Sequence, residues 1–180
     1  MAQTRLLLLD ADMVITAHAS GIWAQLKAAY RIAVPATIVK EARYFKSQQG
    51  RGSINLQAEI DRGEIDCLEA TADELISTFK DFDSSFAAGI DAGEKEAIAL
   101  VNCGRCPEHA FCTGDTVAMA AIGMLDLGNA SIAFEDVVSG AKISGFRPRA
   151  SLSSKTLDDH IKKGKIRRIT GEGFKTSPLK

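Results

Sequence analysis

Apolar and polar positions along the chain fall into short blocks whose period keeps changing. Leu6 to Leu9 is an unbroken apolar run, far too short to cross a membrane, and it stops at Asp10. Such a run predicts a central strand buried on both faces. Ile22 to Tyr30 (IWAQLKAAY) has helical spacing after Ser20 and Gly21, and Arg31 to Val34 predicts a short strand. Pro35 then suits the first turn of a helix that would carry Ile38, Glu41 and Phe45 on one face. Gln48 to Ser53 predicts a loop, Ile54 to Asp61 a polar helix, Glu64 to Leu68 a short strand, and Ala72 to about Phe82 another helix. Asp91 to Val101 is amphipathic, with Glu94, Ala97, Ile98 and Val101 as its stripe. Ala110 to Thr113 is a second buried-strand candidate, ended by Gly114-Asp115, and a small-residue helix runs from Val117 to Leu125. Ser131 to Phe134 predicts a last strand with Glu135-Asp136 at its end. Strands alternating with helices at this spacing predict an α/β fold with a doubly wound, mainly parallel sheet.

Acids recur where this pattern changes period. In a parallel sheet the carboxyl ends of the strands share one edge, so carboxylates that directly follow apolar runs sit where ligands bind. Asp10 and Asp115 are such strand-end acids, and Glu41 and Glu94 lead apolar helix faces. Four gathered carboxylates raise one another's pKa unless a cation joins them. Mg²⁺ or Mn²⁺ suits that oxygen-rich set, and either can activate water and stabilise a leaving oxygen. Asp12, Asp91 and Asp136 are the further candidates for such a site. Asp91 and Glu94 also have capping-box spacing; Asp91 is expected to cap and leave Glu94 free to face a metal. Asp12 is expected to cap the helix after the first strand.

Charge changes the picture at the carboxyl end. From Arg147 to Lys180 ten basic residues face three acids, a local +7, so the first 146 residues, with twelve against twenty, carry −8. At 180 residues the chain suits one domain with an appendage, a body over 1–146 and a basic extension over 147–180, helical or partly disordered. Lys162, Lys163, Lys165, Arg167 and Arg168 crowd around Ile161, Ile166 and Ile169 and could contact phosphates non-specifically. A solvated tail and a partner-docking helix, the latter from the spacing of Leu152, Leu157 and Ile161, are the other readings of that segment. The amino terminus reads as neither a signal peptide nor a membrane span, which predicts a cytoplasmic protein. Cys103, Cys106, His109 and Cys112 are spaced C-x₂-C-x₂-H-x₂-C, a pattern open to a structural zinc but also to ordinary core and loop cysteines. His18 and His160 show no evident partners.

Between residues 4 and 140 the chain resembles the PIN-domain ribonucleases. The matching segments are LLLLDADMVI, VPATIVKEA with Glu41, DAGEKEAIAL with Glu94 in a glutamate variant of the third acidic motif, and FCTGD with Asp115. The resemblance implies a three-layer α/β/α fold with about five parallel strands. It also implies cleavage of single-stranded RNA by metal-activated water to leave a 5′-phosphate. An antitoxin partner and a homodimer are implied as well, since many members are toxins of toxin–antitoxin pairs. The chain departs from the family pattern in Glu94 itself, in a longer stretch between residues 46 and 90, and in the basic tail. Two rival readings differ in class. DADMVI and TGDTVAMAAIGM also resemble motifs of haloacid-dehalogenase-type phosphatases, with Asp10 as nucleophile, Asp12 as general acid and Asp115 as Mg²⁺ ligand. That motif expects an acid where Met119 stands, and it gives Glu41 and the Glu94 segment no role. A PIN-like RNA-binding module without catalysis is the other rival, although clustered acids are of no use to a metal-free RNA surface.

Overall fold

The computed structural model describes residues 6–48 and 50–175. The leucine run forms β1 (Leu6–Leu9), and its residues alternate between two cores. Leu7 and Leu9 pack into one core with Ile32, Val34 and Cys112, whereas Leu8 enters the other with Ala33 and Phe111. A strand covered on both faces has no polar side, which is why this stretch shows no alternation in sequence.

β1 pairs in parallel with β2 (Arg31–Pro35) on one side and β6 (His109–Cys112) on the other, and β5 (Asp66–Leu68) extends the sheet beyond β2. The order is β5-β2-β1-β6. On one face lie α1 (Ala11–Ala19), α2 (Trp23–Ala29), α3 (Ala36–Glu41), α4 (Leu56–Asp61) and α9 (Phe134–Gly140). On the other lie α7 (Ala92–Asn102), α8 (Thr116–Met124) and α10 (Ser154–Thr170), and α5 (Ala72–Phe79) packs beside α7. The short α6 (Ser84–Ala88) places Phe86 against this second core. The result is the expected three-layer α/β/α architecture.

Several local expectations are corrected. The main sheet has four strands rather than about five: Ser131 makes only a single parallel bridge to Phe111, and Ile132 N–H donates to the Phe111 carbonyl. Phe134 then starts α9, so Glu135 and Asp136 lie in a helix's first turn, not at a strand end. Glu41 is the last residue of α3, and Phe45 belongs to β3 (Tyr44–Ser47), so Ile38, Glu41 and Phe45 do not share one helical face. β3 pairs antiparallel with β4 (Gly50–Ser53), a hairpin where a loop was expected. Glycine-rich GRGS lacks strand-forming side chains, and cross-strand pairing, which the local pattern does not report, sets it.

The basic segment is a 17-residue helix capped by Ser153 and ended by Gly171 in the left-handed conformation, φ 79°. Leu157, Ile161 and Gly164 form its buried stripe, and Leu152 just before it enters the opposite core. The apolar stripe that could have docked a partner is thus used inside the chain. α10 crosses α8 at nearly van der Waals backbone distance. A Cβ on Gly123 would stand 2.2 Å from the Ile161 carbonyl oxygen, and one on Gly164 would stand 2.1 Å from that of Ala120. Alanine at either position must push two helix backbones apart. Gly123→Ala or Gly164→Ala is therefore expected to lower stability by at least about 1–3 kcal/mol, the usual range for overpacking. Chemical denaturation would read this directly; an unchanged midpoint in both variants would mean that the helices do not cross there.

Candidate active site

β1 leads away toward β2 and β5, while the chain after β6 turns to the other side, where Ser131 bridges Phe111. The order of the sheet therefore reverses between β1 and β6. In open α/β sheets the crevice beyond the carboxyl ends of two such strands is the usual ligand site. Asp10 follows β1 directly, and Thr113-Gly114-Asp115 follow β6.

Asp10 is 1 % exposed. One carboxylate oxygen accepts the Met13 N–H at 2.7 Å, capping α1, and the other accepts the Gly114 N–H at 3.1 Å, across 104 residues of sequence. The cap of α1 is thus Asp10, not Asp12, because the helix begins immediately after the strand; Asp12 lies exposed in its first turn. Gly114 approaches this closely because it lacks a side chain: a Cβ there would meet the Met13 methyl at 2.8 Å. Burial pushes the Asp10 carboxyl up to about 6, against the lowering effect of its hydrogen bonds to Thr113, Met13 and Gly114.

Asp115 caps α8, with Oδ1 accepting from both Val117 N–H and Ala118 N–H at 2.7 Å. Its Oδ2 takes no hydrogen bond from the described residues. Glu94, in the first turn of α7, accepts the Asp91 N–H at 3.2 Å. Glu94 therefore takes part in the capping box as well as facing the other acids, contrary to the expected division between the two residues. Burial pushes the Glu94 carboxyl up to about 8, reinforced by the negative charges of Asp115 and Asp10.

Asp10 and Asp115 thus both lie within electrostatic range of Glu94, and among the described residues no Lys or Arg forms an ion pair with any of the three. Glu41 is exposed beside α7 and is not brought into this set, its charge neighbours being Asp91 and Glu96. A Cβ on Gly93 would lie 2.9 Å from its Oε2, and burial with the charges of Asp91 and Glu96 raises its carboxyl. Asp91 is exposed beside it. Asp136 is turned to other work: it accepts from the Ser154 hydroxyl at 2.9 Å, while Glu135 accepts the Ser154 N–H at 3.0 Å, so the pair anchors the start of α10.

Two buried acids escaped the sequence reading. Glu96 accepts Thr37 N–H at 2.8 Å and Ala70 N–H at 3.1 Å, tying α7 to the start of α3, whose own cap position is Pro35. Glu59 accepts the Trp23 indole N–H at 2.9 Å and Lys27 at 2.8 Å. Both are saturated by fixed donors and serve structure. Glu96 lies off the stripe of Glu94, Ala97, Ile98 and Val101, and nothing local tells that it is the acid of that helix that meets backbone donors.

The cysteine–histidine pattern is dispersed. Cys112 and Cys106 belong to the cores on opposite faces of the sheet, and Cys103 is exposed beyond the end of α7. Cys103 caps the end of α7, Cys106 lies in the turn that follows and Cys112 in β6, so three different local structures carry what linear spacing put together. His18 is no simple surface residue: it stacks on Trp23, ring centroids 4.8 Å apart, and on Phe45 at 5.8 Å.

Hard, uncompensated carboxylates fit a divalent cation that prefers oxygen. Among the described residues no three His, Cys, Asp or Glu are already drawn tightly enough to ligate one ion together. Mg²⁺ commonly takes only one or two carboxylates and keeps waters, so the donor set still fits it. Comparison of the sequence with models of known protein families and with curated proteins finds no match. The PIN resemblance accordingly rests on its four sequence segments.

Both raised carboxyls bind protons more tightly in the folded chain than in the unfolded one, where Asp and Glu have their ordinary values of 3.8 and 4.5. Their contribution to stability is present below those values and is lost as pH rises through about 6 for Asp10 and about 8 for Glu94. In EDTA, the melting temperature is expected to fall between about pH 5 and about pH 8.5, and to fall less in Glu94→Gln. Mn²⁺ should raise it more at the upper end of that range, where it no longer competes with protons. Equal slopes in the two proteins would remove Glu94 from the cluster.

Proposed function

We propose that the chain is a metal-dependent ribonuclease of the PIN type, hydrolysing phosphodiester bonds in single-stranded RNA. The observation that carries this reading is the placement of buried Asp10 and half-buried Asp115 within electrostatic range of half-buried Glu94 at the switch point of the sheet, with no ion-pairing Lys or Arg among the described residues. One or two of Asp10, Asp115 and Glu94 would hold Mg²⁺ or Mn²⁺ directly, with waters completing its shell, and Glu41 would serve at the rim. When bound, such an ion supplies water activation and charge stabilisation at a phosphate. The chain's own part is to orient these carboxylates, and proton release from Glu94 on binding would make activity rise with pH.

The phosphatase alternative is less well supported. Its motif gives no role to Glu94, which lies within electrostatic range of Asp10 and Asp115. Met119, where that motif expects an acid, is buried in the core. An antitoxin partner and a homodimer belong to the same reading by resemblance, and a cytoplasmic location is proposed alongside them. Among the described residues no helix is long and apolar enough to cross a membrane.

End-labelled single-stranded RNA incubated with the purified protein is expected to be cut in Mn²⁺ to 5′-phosphate ends and left intact in EDTA. Asp10→Asn and Asp115→Asn should each reduce the rate at least ~100-fold, the scale typical for loss of a group that acts on the reacting atoms. A folded parent that binds RNA but never cuts it would favour the non-catalytic module. Turnover of a phosphomonoester dependent on Asp12, with RNA untouched, would favour the phosphatase.

A further inference from the structure

The carboxyl-terminal helix carries its charge in a pattern that its docking on α8 sorts. With Leu157, Ile161 and Gly164 turned inward, His160, Lys163 and Arg167 follow one another along a neighbouring face at helical spacing. That face and the first turns of α8 enclose a cavity of about 380 Å³, lined by Thr116, Val117, Ala120, Ile166 and Glu172 together with these three residues. Thr116 follows Asp115 directly, and the N–H of Val117 is one of the two donors to Asp115 Oδ1. The cavity therefore adjoins the acidic centre through a single turn of helix. Lys162, Lys165 and Arg168 lie outside its lining, and Lys165 stands 3.7 Å from Asp126.

We propose that this cavity is a subsite for one nucleotide of the RNA strand next to the scissile phosphate, with Lys163 and Arg167 holding its phosphate. The inference rests on the ribonuclease reading. The body of the chain is acidic, so a polyanion reaching Asp115 needs local positive charge, and α10 supplies it beside that residue. The floor of Val117, Ala120 and Ile166 is apolar, with Ile166 59 % exposed, and offers a surface to a base or ribose while the rim meets the phosphate. The size fits a small ligand, at the low end of the roughly 300–1,000 Å³ usual for such pockets, rather than a docked helix.

Lys163 forms no ion pair among the described residues and is free to take a phosphate. Arg167 is held at 3.2 Å by Glu172, with its guanidinium 5.4 Å from the Phe86 ring centre. Glu172 thus competes with the phosphate for Arg167. The α8 amino terminus is not the anion site, because Asp115 already takes its donors.

The test is binding of a fluorescent single-stranded RNA decamer to the full chain in EDTA, across a salt series, together with cleavage kinetics in Mn²⁺. Lys163→Ala with Arg167→Ala is expected to weaken binding at least ~10-fold. The slope of log affinity against log salt should become shallower by about 1.4, two charges at ~0.7 each for single strands. KM should rise with kcat unchanged. Glu172→Gln should tighten binding, and Lys162→Ala with Arg168→Ala should cost clearly less than the first pair. Lys163→Ala alone, which breaks no ion pair, serves if the double variant is unstable. Wild-type KM in the Lys163 and Arg167 variants, or an equal loss from Lys162 and Arg168, would overturn the subsite while leaving the ribonuclease reading intact. Failure of the parent chain to bind or cut RNA would overturn both. Preference for a poly-glutamate peptide over RNA, lost in the same variants, would assign the cavity to an acidic protein partner instead.

Discussion

Asp10 joins two strand-to-helix turns that are 104 residues apart, because its oxygens take one backbone N–H from the start of α1 and one from Gly114 after β6. A carboxylate at 1 % exposure is costly to ionise, and its hydrogen bonds only partly offset the burial, leaving it near 6. The arrangement therefore stores an electrostatic tension where the sheet order reverses. Everything else at that edge is built around it: Gly114 must lack a side chain, and Thr113 must offer its hydroxyl. Glu94 and Asp115 bring more negative charge rather than less.

The acids of this chain divide by what their oxygens meet. Glu59 and Glu96 end on fixed donors and act as staples, the former between α2 and α4, the latter between α7, α3 and the turn after β5. Glu135 and Asp136 hold the start of α10. Asp10 and Asp115 also accept backbone N–H groups, but unlike those staples they lie within electrostatic range of another acid, Glu94. Like charges kept together in partial burial are unfavourable for folding alone, a pattern typical of functional sites.

α10 links the two ends of this logic. Its glycine crossing with α8 lets the helices approach until backbone meets backbone, and that closeness sets the rotation at which Lys163 and Arg167 stand over the turn that Asp115 caps. Leu152 and Leu157, on either side of the helix start, enter the two cores on opposite faces of the sheet, so the basic segment is packed into the body it follows.

Local pattern sufficed for the layers. An apolar run ending in an acid, twice, located β1 with Asp10 and β6 with Asp115, and the 3.6-residue stripe of α7 put Glu94 on an inward face. These are properties of neighbouring residues, and sequence order preserves them. Glu41 was legible as a residue but not in its element, because α3 stops where β3 begins to pair with β4, and pairing partners are not written in the segment that pairs. Strand order, the collapse of the expected fifth strand to one bridge, the dispersal of the cysteines and the role of Glu96 were likewise decided by contacts between distant segments. The same holds for the basic helix. Its composition left a phosphate contact, a solvated tail and a docking helix open, and which two of its five cations stand beside the start of α8 depended on Gly123 and Gly164 meeting across the chain.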